Sequence, residues 1–123
     1  MVVGYAPWTL HAAEKILVIG DSLSAAYGIE KQRGWVALLQ RRLQEQAFGY
    51  QVVNASISGD TTRGGLSRLQ TALQRENPQL LIIALGGNDG LRGFRFEQTR
   101  QNLQDMIRMA LDRQIQVLFI GVR

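Results

Sequence analysis

A chain of 123 residues, 46% of them hydrophobic, is long enough to bury a real core and has the size of one domain rather than two. Its formal charge of +4 comes from 14 basic against 10 acidic residues, but the arginines are scattered and no Lys/Arg run forms a phosphate track, which argues against nucleic-acid binding. With no cysteine, disulfide frameworks, thiolate zinc sites and thiol catalysis are excluded, and no apolar stretch approaches the length of a transmembrane span.

Residues 1–13, MVVGYAPWTLHAA, are mildly apolar and lack Lys and Arg. They read as an irregular tail or the remnant of an export leader, with Leu10-His11-Ala12 similar to a signal-peptidase site. From Lys15 the pattern becomes regular. KILVIG, Lys15 to Gly20, is a buried strand that runs into a loop. Trp35, Leu38, Leu39 and Leu43 recur at helical spacing, and Gly49 suits the end of that helix. QVVNA, Gln51 to Ala55, is the second strand. Thr61 or Thr62 can cap the next helix, whose apolar face holds Leu66, Leu69 and Leu73 and which Asn77-Pro78 stops. Leu80 to Leu85 is the third strand. A long helix follows, with Leu103, Met106, Ile107, Ala110 and Leu111 along one face, and QVLFIGV, Gln116 to Val122, is the fourth strand.

Strands that are apolar on both faces and separated by helical crossovers predict an α/β fold: a parallel sheet covered on both sides, in the flavodoxin-like order 2-1-3-4-5. Residues 14–123 form this domain. The fourth strand has no helix after it to cover it, so the domain reads as truncated after the fourth strand and incomplete at its C-terminus. The bare edge of Gln116 to Val122 is then expected to recruit other chains by self-association.

Ligands of such sheets bind at the carboxyl ends of the strands, where this chain carries Gly20-Asp21-Ser22-Leu23-Ser24, Asn54 to Asp60, and Gly86-Gly87-Asn88-Asp89-Gly90. A serine in a tight turn at a strand end can be presented as a nucleophile, with backbone N–H groups facing a developing oxyanion. Ser22 stands in that position, Gly59 permits close backbone approach, and Asn88 offers a side-chain amide. Each also has a plain structural reading: Ser22 as a helix cap, Gly59 as a turn glycine, Asn88 as an Asx turn. The coincidence of all three at neighbouring strand ends favours the chemical one.

GDSLSAAYG, VNASISGDTTRGGLSRL and LGGNDGLRG resemble the first three sequence blocks of the GDSL, or SGNH, hydrolases, nearest the bacterial thioesterase I, lysophospholipase and arylesterase group. The resemblance runs from about Lys15 to Arg123. It implies a serine esterase or thioesterase of fatty acyl groups with Ser22 as nucleophile and the Ser22 N–H, Gly59 N–H and Asn88 amide as oxyanion hole. It also implies substrate contacts from Asp21, Leu23, Asp89, Gly90, Leu91 and Arg92, with Gly90 to Phe94 similar to the loop that closes over the acyl chain. No metal or organic cofactor is implied, and the location is periplasmic or secreted, otherwise cytoplasmic.

The fourth family block, a D-x-x-H segment supplying the catalytic Asp and His, has no counterpart among these residues. The one histidine, His11, is separated from Ser22 by a strand that sets them roughly 20 Å apart, too far for a general base. The chain alone is therefore expected to be nearly inactive. Two other readings stand beside the hydrolase: a non-catalytic fragment or acyl-binding remnant, and a phosphoryl-transfer domain in which Asp21, Asp60 and Asp89 gather around Mg²⁺.

Overall fold

A computed structural model describes residues 14–21, 24–26 and 34–121. The element order is β1 (Glu14–Gly20), α1 (Trp35–Glu45), β2 (Tyr50–Asn54), α2 (Thr62–Glu76), β3 (Leu80–Ala84), α3 (Gly87–Leu91), α4 (Phe96–Asp112) and β4 (Gln116–Phe119). All pairings are parallel and the sheet order is β2-β1-β3-β4, the order predicted from the flavodoxin-like reading. Val122, at the end of the expected fourth strand, His11 and the rest of residues 1–13 lie outside the described residues.

The period-2 geometry of the strands divides the core in two. Leu17, Ile19, Leu81, Ile83 and Leu85 point to one face, where Leu69, Leu73, Met106 and Ala110 of α2 and α4 meet them. Ile16, Val18 and Ile82 point to the other, against Val36, Leu39 and Leu43 of α1. The central strands are thus buried on both sides, the physical reason they read as unbroken apolar runs. Gly65 lets α2 approach closely, since a Cβ there would sit 2.5 Å from Leu85 Cδ1.

Two residues assigned to helical faces point outward. Leu38 is 47% and Leu111 56% exposed. At 100° per residue Leu38 lies roughly 200° around the helix from buried Val36, and a count of three- and four-residue steps does not reveal that. The end of α1 also differs from expectation. Ala47, not Gly49, takes the left-handed conformation (φ 61°), with Phe48 N–H donating to Leu43 O at 2.9 Å and Ala47 N–H to Gln44 O at 3.1 Å. This is a Schellman cap built on alanine. Gln114 (φ 62°) ends α4 in the same way, and there the following residue, Ile115, is buried.

The outer edge of β2 is closed by a side chain. Gln40 Nε2 donates to Tyr50 O at 3.1 Å and its Oε1 accepts Val52 N–H at 2.6 Å, so one amide of α1 stands in for a neighbouring strand's peptide. On the opposite side of the sheet, Leu118, Phe119 and Ile120 are 50%, 43% and 39% exposed. At the strands' amino ends Lys15 Nζ lies 3.3 Å from Glu76 Oε1, and hydrogen bonds from Lys15 and then Arg75 hold the Glu76 carboxyl below its ordinary value. Its small contribution is present at neutral pH and is lost as the pH falls through the acidic range.

Ala47 yields a direct prediction. A left-handed alanine costs about 1–2 kcal/mol, and glycine returns about 0.5–1 kcal/mol of that as extra unfolded-state entropy. Ala47→Gly should therefore stabilise the chain by about 0.5–1 kcal/mol, raising Tm by a few degrees in a thermal melt followed by circular dichroism. An unchanged or lower Tm would remove strain at this cap.

Candidate active site

With β1 flanked by β2 and β3, the loops that leave these three strands are neighbours. Glycine opens the first of them because nothing larger fits: a Cβ on Gly20 would lie 2.5 Å from Ser24 Oγ and 3.0 Å from Ser56 Oγ. Asp21 follows, buried, and its carbonyl accepts Ala25 N–H at 2.8 Å. Ser22 and Leu23 lie outside the described residues. Ser24 is held by Trp35 Nε1 on its hydroxyl at 3.1 Å and by Asn54 Nδ2 on its carbonyl at 2.8 Å.

The second loop continues the ladder past the end of β2. Ala55 N–H donates to Val18 O at 2.8 Å and Ile57 N–H to Gly20 O at 3.0 Å, which binds it to the first loop. Gly59 then turns the chain with φ +83°, a conformation that glycine adopts without penalty. Asp60 anchors the turn from below. Its Oδ2 accepts Arg68 Nε at 3.0 Å and Nη2 at 2.7 Å, while Arg68 Nη1 also reaches Ala55 O. Glycine at position 64 leaves room for that carboxylate, since a Cβ there would overlap Asp60 Oδ1. Thr61 caps α2, its hydroxyl accepting Gly64 N–H at 3.1 Å.

The third loop is not irregular: after Gly86 its GNDGL segment forms the single-turn helix α3. Asn88 Nδ2 donates to Asp60 O at 2.9 Å and Arg92 Nη2 to Gly59 O at 3.0 Å, so the second and third loops are tied on both sides of the Gly59–Asp60 peptide. A side-chain amide has two N–H donors, and this contact uses one of Asn88's. Gly59 and Asn88 are thereby brought together. Gly90, Leu91 and Arg92 sit on the outer rim, with Leu91 85% exposed.

Asp89 corrects the sequence reading. Its side chain was expected to touch substrate, but the residue is 1% exposed and points inward. Oδ1 accepts Thr62 N–H at 2.8 Å, and Oδ2 accepts the hydroxyls of Thr62 at 2.5 Å and Thr99 at 2.8 Å. Thr62 Oγ1 in turn accepts Asn102 Nδ2 at 3.0 Å, and Asn102 Oδ1 accepts Gln98 Nε2 at 3.1 Å. The residue next to Asn88 is thus pinned to the start of α2 and to α4. Sequence reasoning missed Thr62, Thr99 and Asn102 as parts of this network. A signal existed: Thr99 and Asn102 precede Met106 and Ala110 at helical spacing, so they are polar residues inside an apolar stripe.

The three-carboxylate reading is also corrected. Asp60 is committed to Arg68 and Asp89 to two threonines, and among the described residues no three His, Cys, Asp or Glu side chains form a group able to hold a metal ion. Nor is any histidine found among the described residues.

Three small-residue loops fastened together at the carboxyl edge of a parallel sheet define a flavodoxin-like α/β protein with its site at the strand ends. Residues 18–123 match the GDSL-like lipase/acylhydrolase family, and the chain belongs to it. It is 53% identical over 112 residues to esterase TesA of Pseudomonas aeruginosa, covering 91% of this chain and 56% of that protein. It is 47% identical over 96 residues to thioesterase 1/protease 1/lysophospholipase L1 of Escherichia coli K12, covering 78% of this chain and 45% of the relative. The crystal structure of TesA superposes with a TM-score of 0.88 at 52% identity, over 89% of this chain and 61% of the other. The chain thus spans about half the length of the curated relatives it matches.

The Asp89 network makes its own prediction. Asp89→Ala strands one buried N–H and two hydroxyls, each left without an acceptor at about 1–3 kcal/mol, so the variant should lose about 3 kcal/mol or more of stability. Chemical denaturation of the two proteins measures this directly, and a loss under about 1 kcal/mol would show that the network is not what holds α3.

Proposed function

We propose that this chain carries the nucleophile and oxyanion hole of a serine hydrolase acting on fatty acyl esters and thioesters. The observation that most supports the reading is the Asn88 Nδ2–Asp60 O bond beside the left-handed Gly59, which joins the amide to the turn that contains this glycine, in the loops that follow β3 and β2. In this reading Ser22 Oγ attacks the acyl carbonyl. The negative charge on the carbonyl oxygen is received by the N–H groups of Ser22 and Gly59 and by the second N–H of Asn88. Collapse expels the alcohol or thiol, and water then cleaves the acyl-serine. Prior fixation of the donors is what the geometry contributes, since a donor already aimed needs no reorganisation as charge develops. Leu91 and Arg92, exposed on the rim beside these loops, are the residues this reading gives to the substrate, and the names of the relatives, esterase and thioesterase/lysophospholipase, favour an acyl substrate. Export to the periplasm or medium belongs to the same proposal and is checked by cell fractionation.

Deprotonation of Ser22 needs a base, and the chain's single histidine, His11, precedes β1 while Ser22 follows it. The 123-residue polypeptide should therefore hydrolyse p-nitrophenyl butyrate only at the residual level that oxyanion and binding effects sustain, about 10³–10⁴ over water. That residual activity should be little changed in Ser22→Ala, since without a base the serine contributes nothing to it. In a form of the protein that turns over esters efficiently, Asn88→Ala should lower kcat about 10²–10³-fold with KM little changed. A kcat unaffected by Asn88→Ala would take this amide out of the oxyanion hole, and rapid turnover independent of Ser22 would end the serine mechanism.

We further propose that β4 mediates self-association, because exposed Leu118 lies on this strand at the sheet's edge and exposed Ile120 directly follows it. Size-exclusion chromatography with light scattering should show the 123-residue polypeptide as oligomers, and Leu118→Lys/Ile120→Lys should shift it towards monomer. A monodisperse wild-type monomer contradicts this.

A further inference from the structure

The segment that joins α3 to α4 reads Leu91-Arg92-Gly93-Phe94-Arg95-Phe96, and its apolar side chains are turned to solvent. Leu91 is 85%, Phe96 73% and Phe94 42% exposed. No described element covers these side chains, although the backbone beneath them is fixed: Phe94 N–H donates to Asp89 O at 2.9 Å and α4 begins at Phe96. Solvated loops are polar by default, so three large apolar side chains within six residues of a well-anchored turn form a patch of the kind that marks an interaction surface.

The charges around the patch decide what fits it. Arg92 and Arg95 alternate with the apolar residues, and Arg63 lines the same cavity of about 310 Å³ as Phe94 and Arg95. Arg95 is itself 85% exposed on its side chain, and its only ion pair among the described residues is the long 3.8 Å contact with exposed Glu97. Asp60 is paired with Arg68, and Asp89 is buried beneath the loops, so neither carboxylate stands on the patch. A second copy of the chain would have to set arginine against arginine. An anionic bilayer meets both features at once, taking the apolar side chains at the headgroup–acyl boundary while phosphates face the guanidinium groups.

We propose that Leu91, Phe94 and Phe96, with Arg92, Arg95 and Arg63, form a docking surface for anionic phospholipid bilayers. Through the Arg92–Gly59 contact this surface abuts the loops of the candidate site, so docking would bring that site to the lipid. The proposal does not depend on Ser22 or on hydrolysis, and its test reads binding alone.

The experiment is co-sedimentation of the 123-residue polypeptide with large unilamellar vesicles of phosphatidylcholine, with and without a substantial fraction of phosphatidylglycerol. The expected result is at least tenfold stronger partitioning onto the anionic vesicles, weakened by raised salt. Leu91→Ser/Phe94→Ser/Phe96→Ser and, separately, Arg92→Gln/Arg95→Gln should each reduce binding about tenfold or more. Because Phe94 is partly buried, the arginine pair and a second apolar variant, Leu91→Ser/Phe96→Ser, keep the test independent of folding, which circular dichroism monitors. Leu118→Ser/Ile120→Ser, which alters the other exposed apolar set, should leave vesicle binding intact. Absence of binding, equal binding to neutral vesicles, or loss of binding only in the β4 variant would each overturn the proposal, the last pointing to capture of self-associated chains.

Discussion

A carboxylate buried at the N-terminus of a helix holds the site end of this protein together. Asp89 receives the first N–H of α2 and the hydroxyls of Thr62 and Thr99. Burying a carboxylate is costly unless hydrogen bonds replace its water, and here three do so while the positive end of the α2 dipole lies alongside. The arrangement is demanding in return, because α3 must sit where its third residue, Asp89, reaches both longer helices. Asn88, one position earlier, inherits that placement. Its amide meets Asp60 O as a consequence of where Asp89 is pinned, and this pair of residues closes the third loop on the second, which Ile57 N–H joins to the first through Gly20 O.

The remaining loops reach the same place by different means. The first is crowded, and Gly20 is required by the closeness of Ser24 and Ser56. The second is set by Arg68, whose guanidinium bonds both the Asp60 carboxylate and the Ala55 carbonyl and so spans the turn that contains Gly59. The polar fixation is concentrated at one end of the molecule. Elsewhere the packing is apolar, with α2 and α4 on one face and α1 on the other. This division is what a parallel sheet imposes, since its backbone groups are spent in the ladder and only the strand ends leave polar groups to organise.

The rim contrasts with this interior. Asp89, Thr62 and Asn102 beneath the loops are buried, whereas the chain between α3 and α4 exposes leucine and phenylalanine among arginines. The two are joined through single residues: Phe94 is bonded to the backbone of Asp89, and Arg92 to that of Gly59. Fixed polar groups thus lie below and an amphipathic rim above.

Much of the fold was legible in the amino-acid order. LLIIAL and the ILVI of KILVIG are apolar at every position, as a strand buried on both faces requires, and the helical spacing between them indicated a parallel crossover topology. The same order made Gly59 and Asn88 visible as candidates, because their coincidence with Ser22 at neighbouring strand ends outweighed the plain turn reading that each has alone. What the sequence could not decide was direction. Asp89 looks as accessible as Asn88 in GGNDG, and only the packing of α3 against α2 and α4 turns one inward and leaves the other at the site. Leu38 and Leu111 fell at plausible helical intervals, yet the angle at which each helix meets the sheet left them in solvent. Gln40 gave no hint that its amide would close the edge of β2. Local sequence sets periodicity and backbone freedom, which are properties of neighbours along the chain; the inward or outward choice of a polar side chain depends on donors supplied by segments ten to forty residues away, and those exist only once the helices have docked.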